Sequence, residues 1–160
     1  MTLKRARTIF SYLVRSGEAV ECPACERPDR LYSRAMTGTM ARAMIALWRK
    51  SGDGYAKMTD VLHGADIRGG DYAKAKHWGL IEQAALAPGQ NMSGQWRLTP
   101  AGVDFVLGAT QVRSHAVVWR DNVTEFGGEL VWIRDVLGVD FDYDELMQSA
   151  SAGKAEAGQL

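Results

Sequence analysis

One stretch of this chain is its clearest helix. From Met40 to Lys50 the apolar residues Met40, Met44, Leu47 and Trp48 recur at i, i+4, i+7 and i+8, the spacing of one buried helical stripe. Thr37-Gly38-Thr39 offers the cap, and Ser51-Gly52-Asp53-Gly54 stops the helix. A buried stripe needs apolar partners, so the segments around it must supply a core. With 160 residues the chain is long enough for one.

The flanking segments read as shorter elements. Thr8 to Arg15 predicts a helix with Ile9, Tyr12 and Leu13 on one side, ended by Gly17. Glu18 to Arg30 holds two prolines and a Cys pair and reads as a loop or knuckle. Tyr55 to Leu62 alternates loosely, as a short strand or half-helix. Asp71 is the expected N-cap of a helix over Tyr72 to Trp78, closed by Gly79. Leu80-Ile81-Glu82 and Gln95-Trp96-Arg97-Leu98 predict a hairpin, and Thr99-Pro100 begins another helix. Ala116 to Trp119 and Leu130 to Ile133 predict a second hairpin, turning at Thr124 to Glu129. Asp140 to Met147 reads as a short acidic helix, and the Ala/Gly/Ser-rich tail from Ala150 as disordered.

Helix, short connection, helix, hairpin, helix is the order of a winged helix-turn-helix. Ala75-Lys76-His77-Trp78-Gly79-Leu80-Ile81-Glu82 resembles the end of a recognition helix followed by the first wing strand. Trp96-Arg97-Leu98-Thr99-Pro100-Ala101-Gly102 is similar to the second wing strand and following helix of winged-helix regulators. The expected fold class is therefore α+β, a winged-helix core over 31–108. A Cys-containing arm over 1–30 precedes it, a hairpin and acidic helix over 109–149 follow, and a tail covers 150–160. More narrowly, Cys-Pro-Ala-Cys, Met-Ala-Arg-Ala-Met-Ile, His-Trp-Gly-Leu-Ile-Glu and Phe-Asp-Tyr-Asp-Glu-Leu-Met, between Cys22 and Met147, resemble a family of small phage and prophage proteins. That resemblance implies mobile-element biology and carries no activity and no catalytic residues.

Charge narrows the partners. Nineteen basic side chains balance nineteen acidic ones, so the whole molecule is not a polycation. Residues 1–50 hold ten basic and four acidic groups, and residues 111–160 hold four and nine. A basic front and an acidic back suggest faces with different partners. No apolar run spans a bilayer, and the basic start is too short and broken for a signal peptide, so no membrane is expected. Two cysteines build no secreted disulfide framework, which makes a reducing cytoplasm the expected compartment, and the phage resemblance implies that it is a bacterial host's.

Three sets of residues are candidates for function. Arg68, Lys74, Lys76, His77, Gln95 and Arg97 would meet duplex DNA, the cations on phosphates and Gln95 at the edge. Their plainer role is solubilising charge, with His77 packed beside Trp78. The loop Ala87 to Gly94 carries no Arg or Lys, unlike wing tips that enter the minor groove. Phe141, Tyr143, Asp144 and Glu145 set aromatic anchors among carboxylates, a composition suited to a protein partner or to pinning the C-terminal helix. Cys22 and Cys25 are half a zinc knuckle. Closing it requires two of His63, His77 and His115, a carboxylate, or a second chain in a homodimer, and the alternative is two ordinary thiols. No cofactor is otherwise expected. No nucleophile–base set or phosphate loop stands out, so the expected function is non-enzymatic. Duplex DNA binding leads, with an inhibitor or adaptor of a host defence or transcription complex as the alternative.

Overall fold

A computed structural model describes residues 2–17, 19–23, 26–85 and 94–148. The order is α1 (Leu3–Arg15), β1 (Val20–Glu21), β2 (Pro28–Asp29), β3 (Tyr32–Ala35), α2 (Gly38–Ser51), β4 (Ala56–Lys57) and α3 (Met58–Gly64). A 3-10 helix (Asp71–Trp78) follows, then β5 (Ile81–Gln83), β6 (Gln95–Leu98), α4 (Pro100–Val106), β7 (Val112–Trp119), β8 (Asn122–Val131) and α5 (Ile133–Leu137). A last helix, α6, covers 143–148. The class is α+β, as the sequence predicts. Among the described residues no helix is long and apolar enough to cross a membrane.

Contacts group the chain into two compact units, each assembled from separated segments: Met1–Ala35 with His115–Gly127, and Met36–Ser114 with Gly128–Leu160. The sequence reading divides the chain consecutively instead. The difference arises because β3 leaves the helical segment that follows it and pairs with β7, far along the chain.

In the first unit α1 begins five residues before the expected helix start, and its N-cap Thr2 accepts the Arg5 amide at 3.3 Å. Its buried side is Ala6, Phe10 and Val14. The expected side, Ile9, Tyr12 and Leu13, is exposed, which corrects that reading. Both sets have helical spacing, and only tertiary packing chooses between them. Phe10 meets Trp119 edge to face at 6.4 Å. The knuckle is a hairpin in which Val20 pairs with Asp29 and Glu21 with Pro28. β3 runs antiparallel to β7, Tyr32 opposite Val118 and Ala35 opposite His115.

The second hairpin turns earlier than expected. Arg120 and Asp121, at φ 48° and 64°, make a two-residue turn, and Thr124 to Glu129 lies inside β8. Two residues with positive φ match the twist of paired strands. An arginine seldom adopts that conformation, and here Asp29 holds it. The Asp29 carboxylate accepts the Trp119 indole N–H at 2.8 Å and the Arg120 Nε–H at 3.0 Å. Gly127 and Gly128, read as turn residues, are accommodated in the strand, with Gly128 at φ 75°. In the second unit, side chains support that irregular stretch: Arg113 donates to the Gly128 carbonyl at 3.2 Å, and Ser114 Oγ accepts the Glu129 amide at 3.1 Å.

The second unit is built on α2. Thr37 caps it, accepting the Met40 amide at 3.3 Å, and Gly52 ends it at φ 61°. Met40, Ala41, Ala43, Met44, Ile45, Ala46 and Leu47 are all buried, so the helix is covered on more sides than its stripe predicts. Neighbours on several sides account for this: the 3-10 helix, α3, α4, α5 and β6 all pack against it. β4, β6 and β5 form an antiparallel sheet in that order, with Ala56 opposite Trp96 and Ile81 opposite Leu98. Those four residues are buried. Leu130 to Ile133, expected as one strand, divides at Trp132, and Ile133 opens α5 fully buried.

Gly102 leaves no room for a side chain. A Cβ there would lie 1.9 Å from the Leu80 carbonyl oxygen, a contact no rotamer relieves. Thr99 caps α4 by accepting the Gly102 amide at 3.1 Å, and its own amide donates to the same Leu80 carbonyl at 3.0 Å. Gly102→Ala is expected to cost about 3 kcal/mol, the upper end of ordinary overpacking. Urea unfolding should show a lower midpoint at unchanged slope.

Candidate nucleic-acid interface

A 3-10 helix has three residues per turn, so side chains three apart stack in columns. Tyr72, Ala75 and Trp78 form one column and face inward. Ala75 is buried, Tyr72 meets Trp96 edge to face at 5.8 Å, and the Trp78 indole donates to the Arg113 carbonyl at 2.7 Å. Asp71, Lys74 and His77 form the second column, and Ala73 and Lys76 the third. Lys74 and Lys76 therefore lie on different sides, as their separation predicts.

Asp71 is not the N-cap. Gly70 holds that position without a side-chain hydrogen bond, and Asp71 sits in the first turn. Its carboxylate binds Lys74 Nζ at 2.7 Å. That spacing, Asp followed by Lys at i+3, is visible in the sequence. Gly79 closes the helix in the left-handed conformation, as expected.

Gln95 and Arg97 alternate with the buried Trp96 and Leu98, so they occupy the outer face of the sheet. Lys57 stands opposite Gln95, and Glu82 opposite Arg97. The Arg97 Nε–H donates to Glu82, and its guanidinium lies 4.8 Å from the centre of the Tyr55 ring. The Glu82 hydrogen bond raises the Arg97 pKa above its usual range. This cross-strand pair could not be read without the register. Arg68 and Lys76 are exposed, and His77 and Lys74 are half-buried. The strands thus bring Gln95 and Arg97 together on one face, and the 3-10 helix brings Lys74 and His77 into one column. The loop residues Ala87 to Ser93 lie outside the described residues.

The acidic C-terminal segment is held from within its own unit. Arg42 stacks over Phe141 at 4.2 Å. The Tyr143 hydroxyl donates to the Val106 carbonyl at 2.6 Å, and Arg134 covers its ring at 4.4 Å. Burial raises the Tyr143 pKa, outweighing the nearby Arg134 charge. Arg134 donates to both oxygens of Asp144, at 2.9 and 2.7 Å, and that hydrogen bonding lowers the Asp144 pKa. Asp142 accepts the Glu145 amide at 2.9 Å at the start of α6. These contacts pin α6 while Phe141, Asp144 and Glu145 stay exposed.

Of the cysteine pair, Cys22 sits at the hairpin tip, where its amide donates to the Arg27 carbonyl at 2.8 Å. Cys25 lies outside the described residues, as does the tail 150–160. Among the described residues no three His, Cys, Asp or Glu side chains gather closely enough to hold a metal ion. No protein-family model matches this chain, and neither the curated proteins nor the solved structures contain a match.

Removing the hydroxyl with Tyr143→Phe should cost about 1 kcal/mol, the net worth of one hydrogen bond. Tyr143→Ala should cost about 3 kcal/mol, the lower end for losing a packed aromatic. An unchanged melting temperature in both variants would contradict the pinning role. Burial acts to raise the Asp29 pKa, but its hydrogen bonds from Trp119, Arg120 and the Arg30 amide and the Arg120 charge together lower it. A depressed folded-state pKa stabilises above the unfolded value, 3.8, and that contribution disappears as pH falls through the lower folded value. The stability gap between wild type and Asp29→Asn, measured by urea unfolding, should therefore close below that pH.

Proposed function

We propose that this protein is a non-enzymatic duplex-DNA-binding protein of phage or prophage type, acting in the cytoplasm of a bacterial host. Its core is the winged helix-turn-helix expected over residues 31–108, of which 36–108 lie in the second unit. The observation that carries this reading is topological. α2, β4, α3, the 3-10 helix, β5 and β6 follow one another, and the sheet order β4-β6-β5 places the first strand beside the last. That is the arrangement in which the helix before β5 is presented to a DNA groove. Arg68, Lys76 and Arg97 would meet phosphates, with Gln95 and His77 at the edge of the footprint.

The ion pairs favour a second reading. Lys74 is engaged by Asp71 and Arg97 by Glu82, so these cations of the set are already partly neutralised. A protein surface suits such a face better, and a host-complex inhibitor or adaptor would use it together with Tyr55, which is 43% exposed.

Titration of labelled random duplex at two salt concentrations separates the readings. Under the DNA reading, affinity falls linearly with log[salt], and Arg68→Ala and Lys76→Ala each shrink the slope by about 0.9. Asp71→Asn releases Lys74 and tightens binding several-fold. If these variants leave duplex binding unchanged, or if no duplex binds at low salt, the DNA reading falls and the adaptor reading takes its place.

A further inference from the structure

The cations of α1 differ from those of the 3-10 helix in one respect. Lys4, Arg5, Arg7 and Arg15 are exposed, and none is held in an ion pair among the described residues. The sequence contains no Asp or Glu before Glu18. Lys4, Arg7, Thr8, Ser11, Tyr12 and Arg15 fall at i, i+3, i+4, i+7, i+8 and i+11 and share one side of the helix. Five of these six are exposed. Arg7, Thr8, Ser11, Tyr12 and Arg15 line a shallow open groove along the surface of α1. In the middle of the track stands Tyr12, 74% exposed. Burying that ring would be favourable, yet it is displayed between two arginines.

We propose that this face of α1 docks single-stranded nucleic acid, with phosphates on Lys4, Arg7 and Arg15 and a base stacked on Tyr12. A cationic track with a displayed aromatic ring is how proteins hold single strands without reading sequence. In a duplex the bases are stacked on one another and leave no face for Tyr12. An anionic bilayer would take up the exposed Leu3, Ile9 and Leu13 rather than Tyr12, and it fits less well because Ala6, Phe10 and Val14 of the same helix are buried in its own unit. The inference goes beyond the duplex reading of Asp71–Trp78 and does not depend on it.

The test is fluorescence anisotropy of the full chain with labelled oligothymidylate of about 15 nucleotides, long enough for one binding site. A duplex of the same length and phosphatidylserine vesicles are the comparison arms. Single-strand affinity should fall with log[salt] at a slope near −2, from three contacts at about −0.7 each. Arg7→Gln/Arg15→Gln should reduce the slope by about 1.4, and Arg7→Lys/Arg15→Lys should restore it. Tyr12→Ala should weaken single-strand binding at least about fivefold without changing the slope, the signature of a lost stack. Lys76→Ala should leave single-strand binding unchanged. Three results would each overturn the proposal: Tyr12→Ala binding as wild type, the glutamine pair keeping the full slope, or vesicles or duplex depending on the same residues as strongly as the single strand. Thermal melts of the variants confirm folding, since each altered side chain is exposed.

Discussion

The second unit depends on covering α2 on several sides over the run Met40–Leu47. A helix with one buried stripe can rest on a single neighbour. Seven buried residues in the run Met40–Leu47, three of them alanines, require neighbours on several sides and allow them to approach closely. The sheet, the 3-10 helix, α3, α4 and α5 answer that demand. The 3-10 helix meets it through Tyr72, Ala75 and Trp78, an i, i+3, i+6 column that a three-residue turn aligns on one side. Turning those residues inward sets Asp71, Lys74 and His77 outward. The candidate interface is thus a by-product of how α2 is covered.

Much of this second unit is legible in the sequence because its punctuation is local. Thr37, Gly52, Gly79 and Thr99-Pro100 act through hydrogen bonds and φ angles of their immediate neighbours, and each stands where the sequence predicts. The first unit is less legible. Which side of α1 is buried, where β7 and β8 turn, and why an arginine occupies a positive-φ position all depend on Phe10, Trp119 and Asp29 meeting across long sequence separations. Gly127-Gly128 looks like turn chemistry, yet the turn falls at Arg120-Asp121, where Asp29 supplies the restraint that glycine would make unnecessary.

Among the candidate site residues the same division holds. Composition identifies the cations, but only the register reveals that Glu82 faces Arg97. Ion pairing then grades them. Lys74 and Arg97 are engaged, while Arg7 and Arg15 stand without carboxylates among the described residues. An engaged cation releases fewer counterions on meeting a phosphate, so it adds less to affinity than an unengaged one. On this account the two units would offer different surfaces to nucleic acid: a folded groove-reading element in the second and an electrostatic track in the first. Tyr143 and Arg134 fasten α6 to its own unit.

Hydrogen exchange of the full chain, followed by mass spectrometry with and without random duplex at low salt, tests the central claim most directly. Exchange reports backbone protection segment by segment and needs no variant. Duplex docking through the winged core predicts slower exchange across residues 68–78 and 95–98, with 141–148 unchanged. Unchanged exchange across 68–78 and 95–98 in a sample saturated with duplex would contradict it.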